Sequence, residues 1–333
     1  MKIASIDIGT NTVLLLVADV DTNGVIYPLE QEQRLPRLGK DLDRNKIIST
    51  SAFDRISWIL NEYKNIAKQH KANRIIAAAT SAVRDATNKD EFLSYIKSVT
   101  GIDVEVLSGD DEALCTYKGV ISEFPQLSKS AVVLDIGGGS TEISFPTKPT
   151  PPLLLEPVLS ITKEEGRVEV SLHRFSLQIG SVRLTERFFK HNPPEPEEVE
   201  DAINLINAEF FQLKHSDFTD YCLIGVAGTA TTLACLDQNL QDFDIEKVSG
   251  YEINQERVTQ WSRRLCSMSV SEIRSLSDAT QGRADILAMG VLTLEQFMKL
   301  FRFQSLTVSE RGLRYGLIIR EWERTKSPSI PLY

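Results

Sequence analysis

The chain has 333 residues, 42 % of them hydrophobic and 25 % charged, with a formal net charge of −9. This is ordinary globular composition with length for roughly two domains. The acidic total argues against non-specific binding to nucleic acid or anionic membrane, but leaves room for a small polyanion held by a local patch.

Four cysteines without a CxxC pair predict free thiols, and four histidines without ligand spacing predict no zinc site. Asp7 interrupts any apolar core of a signal peptide, and the run Val13 to Ala18 is too short to span a bilayer, so a cytoplasmic protein is expected. Residues Lys2 to Ile8 read as a strand, Gly9-Thr10-Asn11-Thr12 as a turn and Val13 to Val20 as a second strand, with another turn at 21–24. A helix beginning near Thr50 carries Phe53, Ile56, Ile59, Leu60, Tyr63 and Ile66 on one face. Arg74 to Ala79 reads as a buried strand. Asn88 opens a helix that Gly101 ends. Ile102 to Leu107 reads as a strand, and a helix runs from Asp110 to about Phe124. Strands alternating with helices predict an α/β fold with parallel strands.

The next stretch is the most informative. Ala131 to Leu134 leads into Asp135-Ile136-Gly137-Gly138-Gly139-Ser140-Thr141-Glu142, and a second strand leads out to Phe145. Three glycines let the backbone turn sharply and bring N–H groups close to another molecule, and a row of N–H groups is an anion-binding device. Carboxylates flanking such a turn, Asp135 and Glu142, suggest Mg²⁺. Taken alone, a glycine hairpin that binds nothing is the alternative. The same plan, however, opens the chain at Asp7 to Thr12. An internal repeat predicts two similar half-domains facing one another across a cleft. Prolines 146, 149, 151, 152 and 157 make residues 146–167 a surface excursion that returns over Val168 to Leu177. Ile179 to Arg183 enters a short helix, and Pro193 to Pro196 breaks the chain before a helix to about Lys214. Tyr221 to Ala227 reads as a strand, and Gly228 to Thr232 as a third small-residue turn opening a helix. Helices follow at about 254–267 and 284–302, then a strand from Ser305 to Ser309, a helix from Gly312 to Arg324 and a polar tail.

Eight segments in this order resemble the exopolyphosphatase / guanosine pentaphosphate phosphohydrolase (Ppx/GppA) family: Asp7 to Thr12, Thr80 to Ala86, Leu107 to Ala113, Asp135 to Glu142, Gly180 to Leu184, Gly228 to Thr231, Arg283 to Asp285 and Ser309 to Gly316. They span almost the whole chain. The resemblance implies the actin / sugar-kinase / Hsp70 fold, an α/β architecture of two βββαβα-type domains with the active site between them. The implied division is residues 1–123 plus 315–333, which takes back the C-terminal helix, and 124–314. The chain resembles the short, two-domain form.

The implied activity is Mg²⁺-dependent hydrolysis of the terminal phosphoryl group of inorganic polyphosphate, guanosine pentaphosphate or both, with a homodimer expected. Backbone N–H groups at Gly9, Thr10, Asn11, Thr12, Gly137, Gly138, Gly139 and Ser140, helped by the hydroxyls of Thr10, Thr12, Ser140 and Thr141, are the candidate phosphate contacts. From the residues alone, these hydroxyls could equally cap their own turns. Asp110, Asp111 and Glu112 are equal candidates for dipole compensation at a helix start; the resemblance selects Glu112 as the residue that activates water. It also implies Asp135, Glu142 and Asp7 for Mg²⁺, and Arg84, Arg283 and, in a loop, Arg37 as basic groups near the phosphates; the bland reading of Arg84 is a surface pair with Asp85 or Asp90. Leu14 and Leu114 stand where many members carry arginines, which removes positive charge beside the site. The competing readings are a kinase of the same fold and a non-catalytic sensor of polyphosphate or of guanosine penta- or tetraphosphate.

Overall fold

The computed structural model of the chain describes residues 1–147 and 171–326, so most of the proline-rich excursion and the polar tail lie outside the described residues. Eleven strands form two sheets among the described residues. The first joins β1 (Lys2–Ile8), β2 (Val13–Val20), β3 (Ile26–Arg34), β4 (Arg74–Ala79) and β5 (Val104–Val106) in the order β3-β2-β1-β4-β5. The second joins β6 (Ala131–Ile136), β7 (Thr141–Pro146), β8 (Leu172–Leu177), β9 (Cys222–Val226), β10 (Glu252–Asn254) and β11 (Ser305–Val308) in the order β10-β11-β9-β6-β7-β8.

The two orders are the same once β10 is set aside. In each sheet three consecutive strands form an antiparallel meander, and the first of them pairs in parallel with a strand that returns after a helix. The expected repeat is therefore a repeat of whole half-domains, and the sheets are mixed rather than parallel throughout. The strand reading missed β3 and β10. β3 is an edge strand: its Tyr27 and Leu29 are exposed and Pro28 sits within it. A proline removes a ladder donor, which only an edge tolerates, so the usual alternating signal is weak there.

Strand periodicity places the chemistry. In β1 the even positions Ala4, Ile6 and Ile8 pack, together with Val13, Leu15 and Val17 of β2, against the helix Thr50–Gln69 through Phe53, Ile56, Leu60 and Tyr63. The odd positions face the other way, where Ile3, Leu16, Ala18 and Val20 meet Tyr315, Ile318 and Trp322 of the helix Leu313–Lys326. Successive side chains alternate faces, so Asp7 projects with Ile3 toward that helix. The second sheet repeats the logic. Val132, Leu134 and Ile136 join the large outer core, while Ala131 and Val133 meet Tyr117 and Val120 of the helix Gly109–Glu123. Asp135 falls on this inner face. Both repeat aspartates thus point toward the pair of helices between the sheets.

Candidate active site

The two turns have the same closure. Gly9 N–H donates to the Thr12 carbonyl at 2.9 Å, and Gly137 N–H to the Ser140 carbonyl at 3.0 Å. Other loop carbonyls are used: Thr10 and Asn11 accept from Gly39 and Arg37, while Gly137 and Gly138 accept from Ser181, Val182 and Arg183. The N–H groups of Thr10, Asn11, Thr12, Gly138, Gly139 and Ser140 donate to no acceptor among the described residues. Sorting carbonyls one way and N–H groups another is what an anion-binding backbone requires.

The loops touch each other. A methyl group built on Gly138 would lie 2.9 Å from Thr10 Cβ, and one on Gly139 would lie 2.9 Å from Thr10 Oγ1 and overlap Ser81 Oγ. Bare backbone at 138 and 139 is therefore a steric requirement for the two halves to meet.

Among the three acidic candidates at the start of the helix Gly109–Glu123, the structure distinguishes clearly. Asp110 and Asp111 are exposed, and Asp111 is part of the Ser108 cap, whose hydroxyl accepts from Asp111 N–H. Glu112 is only 7 % exposed. Arg84 Nη1 donates to Glu112 Oε2 at 2.9 Å and to the Leu107 carbonyl at 3.0 Å, while Nη2 reaches Ser140 Oγ at 3.5 Å. Arg84 is therefore paired with Glu112 and directed at the second loop, in place of a surface pair with Asp85 or Asp90.

Four carboxyl groups share this interior. Burial, then the charges of Glu112 and Asp135, push Asp7 up to about 8. Burial and the charge of Glu112 push Asp135 up to about 7. Burial and the same two neighbours raise Glu142 well above the usual carboxylate range. Burial also raises Glu112, opposed by Arg84. Each rise reflects desolvation of a charge with like charges nearby.

Glu142 lies opposite Asp135 across the β6–β7 ladder, and Ser176 Oγ on β8 donates to its Oε1 at 2.7 Å. Glu142 Oε2 and Asp7 Oδ1 are buried without a partner. Opposite Asp7, in the corresponding place on β2, stands Leu14. Leu114, two residues after Glu112, is half-buried.

Other expected residues take different places. Thr141 Oγ1 is buried and donates to the Ile179 carbonyl at 2.7 Å, which commits its proton to the fold. Arg283 lies at the third small-residue turn, where its guanidinium fills the space a Gly228 side chain would need, and burial pulls it down to about 10. Arg37 pairs with Asp285 at 3.0 Å, and Asn11 Nδ2 reaches the Gly282 carbonyl at 3.5 Å. These contacts join the first loop to the segment before the helix Leu287–Phe301.

Arg183 has a connecting role that was not assigned from sequence. Its side chain is 9 % exposed, its Nε donates to the Gly139 carbonyl at 2.7 Å, its Nη2 pairs with Asp85 at 2.5 Å, and its Nη1 pairs with Asp43. Its segment, Gly180 to Leu184, was visible as a motif; its partners, far away in sequence, were not. Ser176 was also missed, because a serine in a half-polar strand gives no signal of its own.

Among the described residues no group of three or more histidine, cysteine or acidic side chains is placed to hold a metal ion, and no helix is long and apolar enough to cross a membrane. The family model for the Ppx/GppA phosphatase family matches residues 16–325. Exopolyphosphatase 2 of Mycobacterium tuberculosis is 30 % identical over 332 residues, covering 96 % of this chain and 98 % of its own length. The bifunctional 3-dehydroquinate synthase/phosphatase of Fusobacterium nucleatum is 31 % identical over 327 residues; that match covers 95 % of this chain and 46 % of the relative, so the chain spans about half the length of that protein. The crystal structure of the Aquifex aeolicus member of the Ppx/GppA family superposes with a TM-score of 0.78 at 28 % identity, covering 98 % of this chain and 99 % of that one. The chain belongs to the Ppx/GppA phosphatase family, with the actin-like α/β fold and the phosphoanhydride-hydrolase class that the resemblance implied.

Proposed function

We propose that the chain hydrolyses the terminal phosphoryl group of inorganic polyphosphate, and of guanosine pentaphosphate where the cleft admits the nucleotide, with Mg²⁺ bound. The observation that carries this reading is that Glu112 and Arg84, with the buried Glu142 and the half-buried Asp7 and Asp135, lie against two loops that present N–H groups. The names of the exopolyphosphatase relatives support the substrate class.

The loop N–H groups and Arg84 hold the oxygens of the terminal phosphoryl group. Glu112 orients a water molecule and accepts its proton as the water oxygen bonds to phosphorus. The bridging phosphorus–oxygen bond breaks, and the shortened chain leaves with the electron pair on its oxygen. A carboxyl raised by burial is a stronger base once ionised, and the Arg84 guanidinium favours its ionised form. Asp135, Glu142 and Asp7 would hold Mg²⁺: the two unpartnered buried oxygens fit a cation. Because no three of these side chains converge on one point, such an ion would take most of its ligands from waters and substrate oxygens. When bound, the ion neutralises phosphate charge.

The test is phosphate release from long polyphosphate, short polyphosphate and guanosine pentaphosphate, with and without Mg²⁺. Glu112→Gln is expected to lose about 10³-fold in kcat, in the range of a general base, at an unchanged melting temperature. Full activity in that variant removes Glu112 from the mechanism. Tight guanosine tetraphosphate binding with no turnover of any substrate returns the chain to the sensor reading.

A further inference from the structure

An open cavity of about 530 Å³ lies beside the carboxyl cluster, lined in part by Arg84, Arg174, Ser176, Gln178 and Gln212. Two of these residues also form the site itself: Arg84 holds Glu112, and Ser176 donates to Glu142. The cavity therefore shares a wall with the water-activating side of the cleft. In an in-line displacement the attacking and leaving oxygens lie on opposite sides of the phosphorus. If Glu112 directs the water, the remaining polyphosphate lies on the far side, and the new orthophosphate carries the water's oxygen on the near side, toward this cavity.

The lining suits such an anion. Arg84 and Arg174 supply guanidinium donors and Gln178 and Gln212 supply amide donors. Arg174 comes no closer than 4.0 Å to its carboxylate partner Asp110, which leaves its donors available. Asp110 also lines the cavity and repels an anion, which favours a short stay over tight storage.

We propose that this cavity is a binding and exit site for orthophosphate, distinct from the part of the cleft that holds the shortened polyphosphate. The assignment rests on the hydrolytic reading above, because Glu112 fixes the near side. Orthophosphate leaves through it while the chain remains in the loops.

The experiment compares the full chain with Arg174→Gln and Arg174→Lys. Added inorganic phosphate is titrated against hydrolysis of long polyphosphate and, separately, against the resting protein by calorimetry. Inhibition noncompetitive with polyphosphate is expected in the parent. In Arg174→Gln its inhibition constant rises about tenfold, the scale of one charge-assisted contact, while KM for long polyphosphate stays within about twofold and Arg174→Lys keeps most of the inhibition. A KM that rises with chain length at unchanged phosphate inhibition assigns the cavity to the chain and overturns the proposal; so does a variant that changes neither. If no substrate is turned over, the hydrolytic reading fails, and calorimetry still reports whether Arg174→Gln weakens phosphate binding.

Discussion

The two glycine hairpins share a turn, an aspartate and a strand order, but their neighbours differ. In the first, Thr10 supplies bulk, and its side chain occupies space left by Gly138 and Gly139 of the second. Across the ladder, Asp7 faces Leu14, whereas Asp135 faces Glu142. The second hairpin therefore offers two acidic groups and an open backbone. The first offers one acidic group, an apolar neighbour and the side chain that fills its partner. Equal topology does not mean equal duty: duplicated halves that must touch have to become complementary, one convex where the other is bare.

Substitution at the glycines should break the comparison most visibly. Gly139→Ala forces the loops apart at Thr10 and Ser81 and is expected to lower kcat/KM by about 10²-fold, as misplacement of a catalytic group does. Gly9→Ala meets nothing closer than the Thr12 carbonyl at 3.1 Å and should stay within about tenfold of the parent. Steady-state assays that find equal losses would show that the asymmetry has no catalytic weight.

A smaller effect separates the aspartates by pH. Asp135 rises in the fold from 3.8 to about 7 and Asp7 from 3.8 to about 8. The folded state then binds more protons than the unfolded chain between these values. The stability these groups contribute is complete below the unfolded value and is lost as pH rises through 7 and 8. Metal-free protein should therefore melt at lower temperature as pH increases over that window, and Asp135→Asn should flatten the slope. A melting temperature that rises over the window contradicts the assignment.

The smallest effect concerns Thr141. Thr141→Val should cost about 1–3 kcal/mol in denaturant unfolding, because the Ile179 carbonyl loses its buried donor, with KM unchanged. A raised KM at unchanged stability would restore Thr141 as a phosphate contact.

Much of this was legible in the sequence for physical reasons. A glycine turn between two strands is a local signal, and its recurrence exposed the duplication before any contact was known. Glu112 could not be separated from Asp110 and Asp111 by spacing, since all three occupy one helical turn; the separation needed burial, which only the assembled fold supplies. Arg84 was expected near the phosphates, but its bond to Glu112 links residues 28 apart in sequence. Strand β3 was missed because an exposed edge carries little apolar periodicity. Asp43 escaped notice, and Asp85 entered only as a surface partner for Arg84, because both are met by Arg183 of the other half; Ser176 escaped because its partner Glu142 lies 34 residues away.

The arginines also have a consequence for how this sequence can vary. Arg84 belongs to the first half and reaches Ser140 of the second; Arg183 belongs to the second and reaches Asp43 and Asp85 of the first. Positions 84 and 85 are adjacent, so one short segment both sends a cation across and receives one. Changing Arg183 alone leaves Asp85 without its cation, while Asp43 keeps Arg187 and Lys46; changing either acid alone weakens the neutralisation of a nearly buried cation. Drift at 43, 85 and 183 must therefore be concerted, and a swap of one half-domain between relatives should succeed only when this trio travels with it.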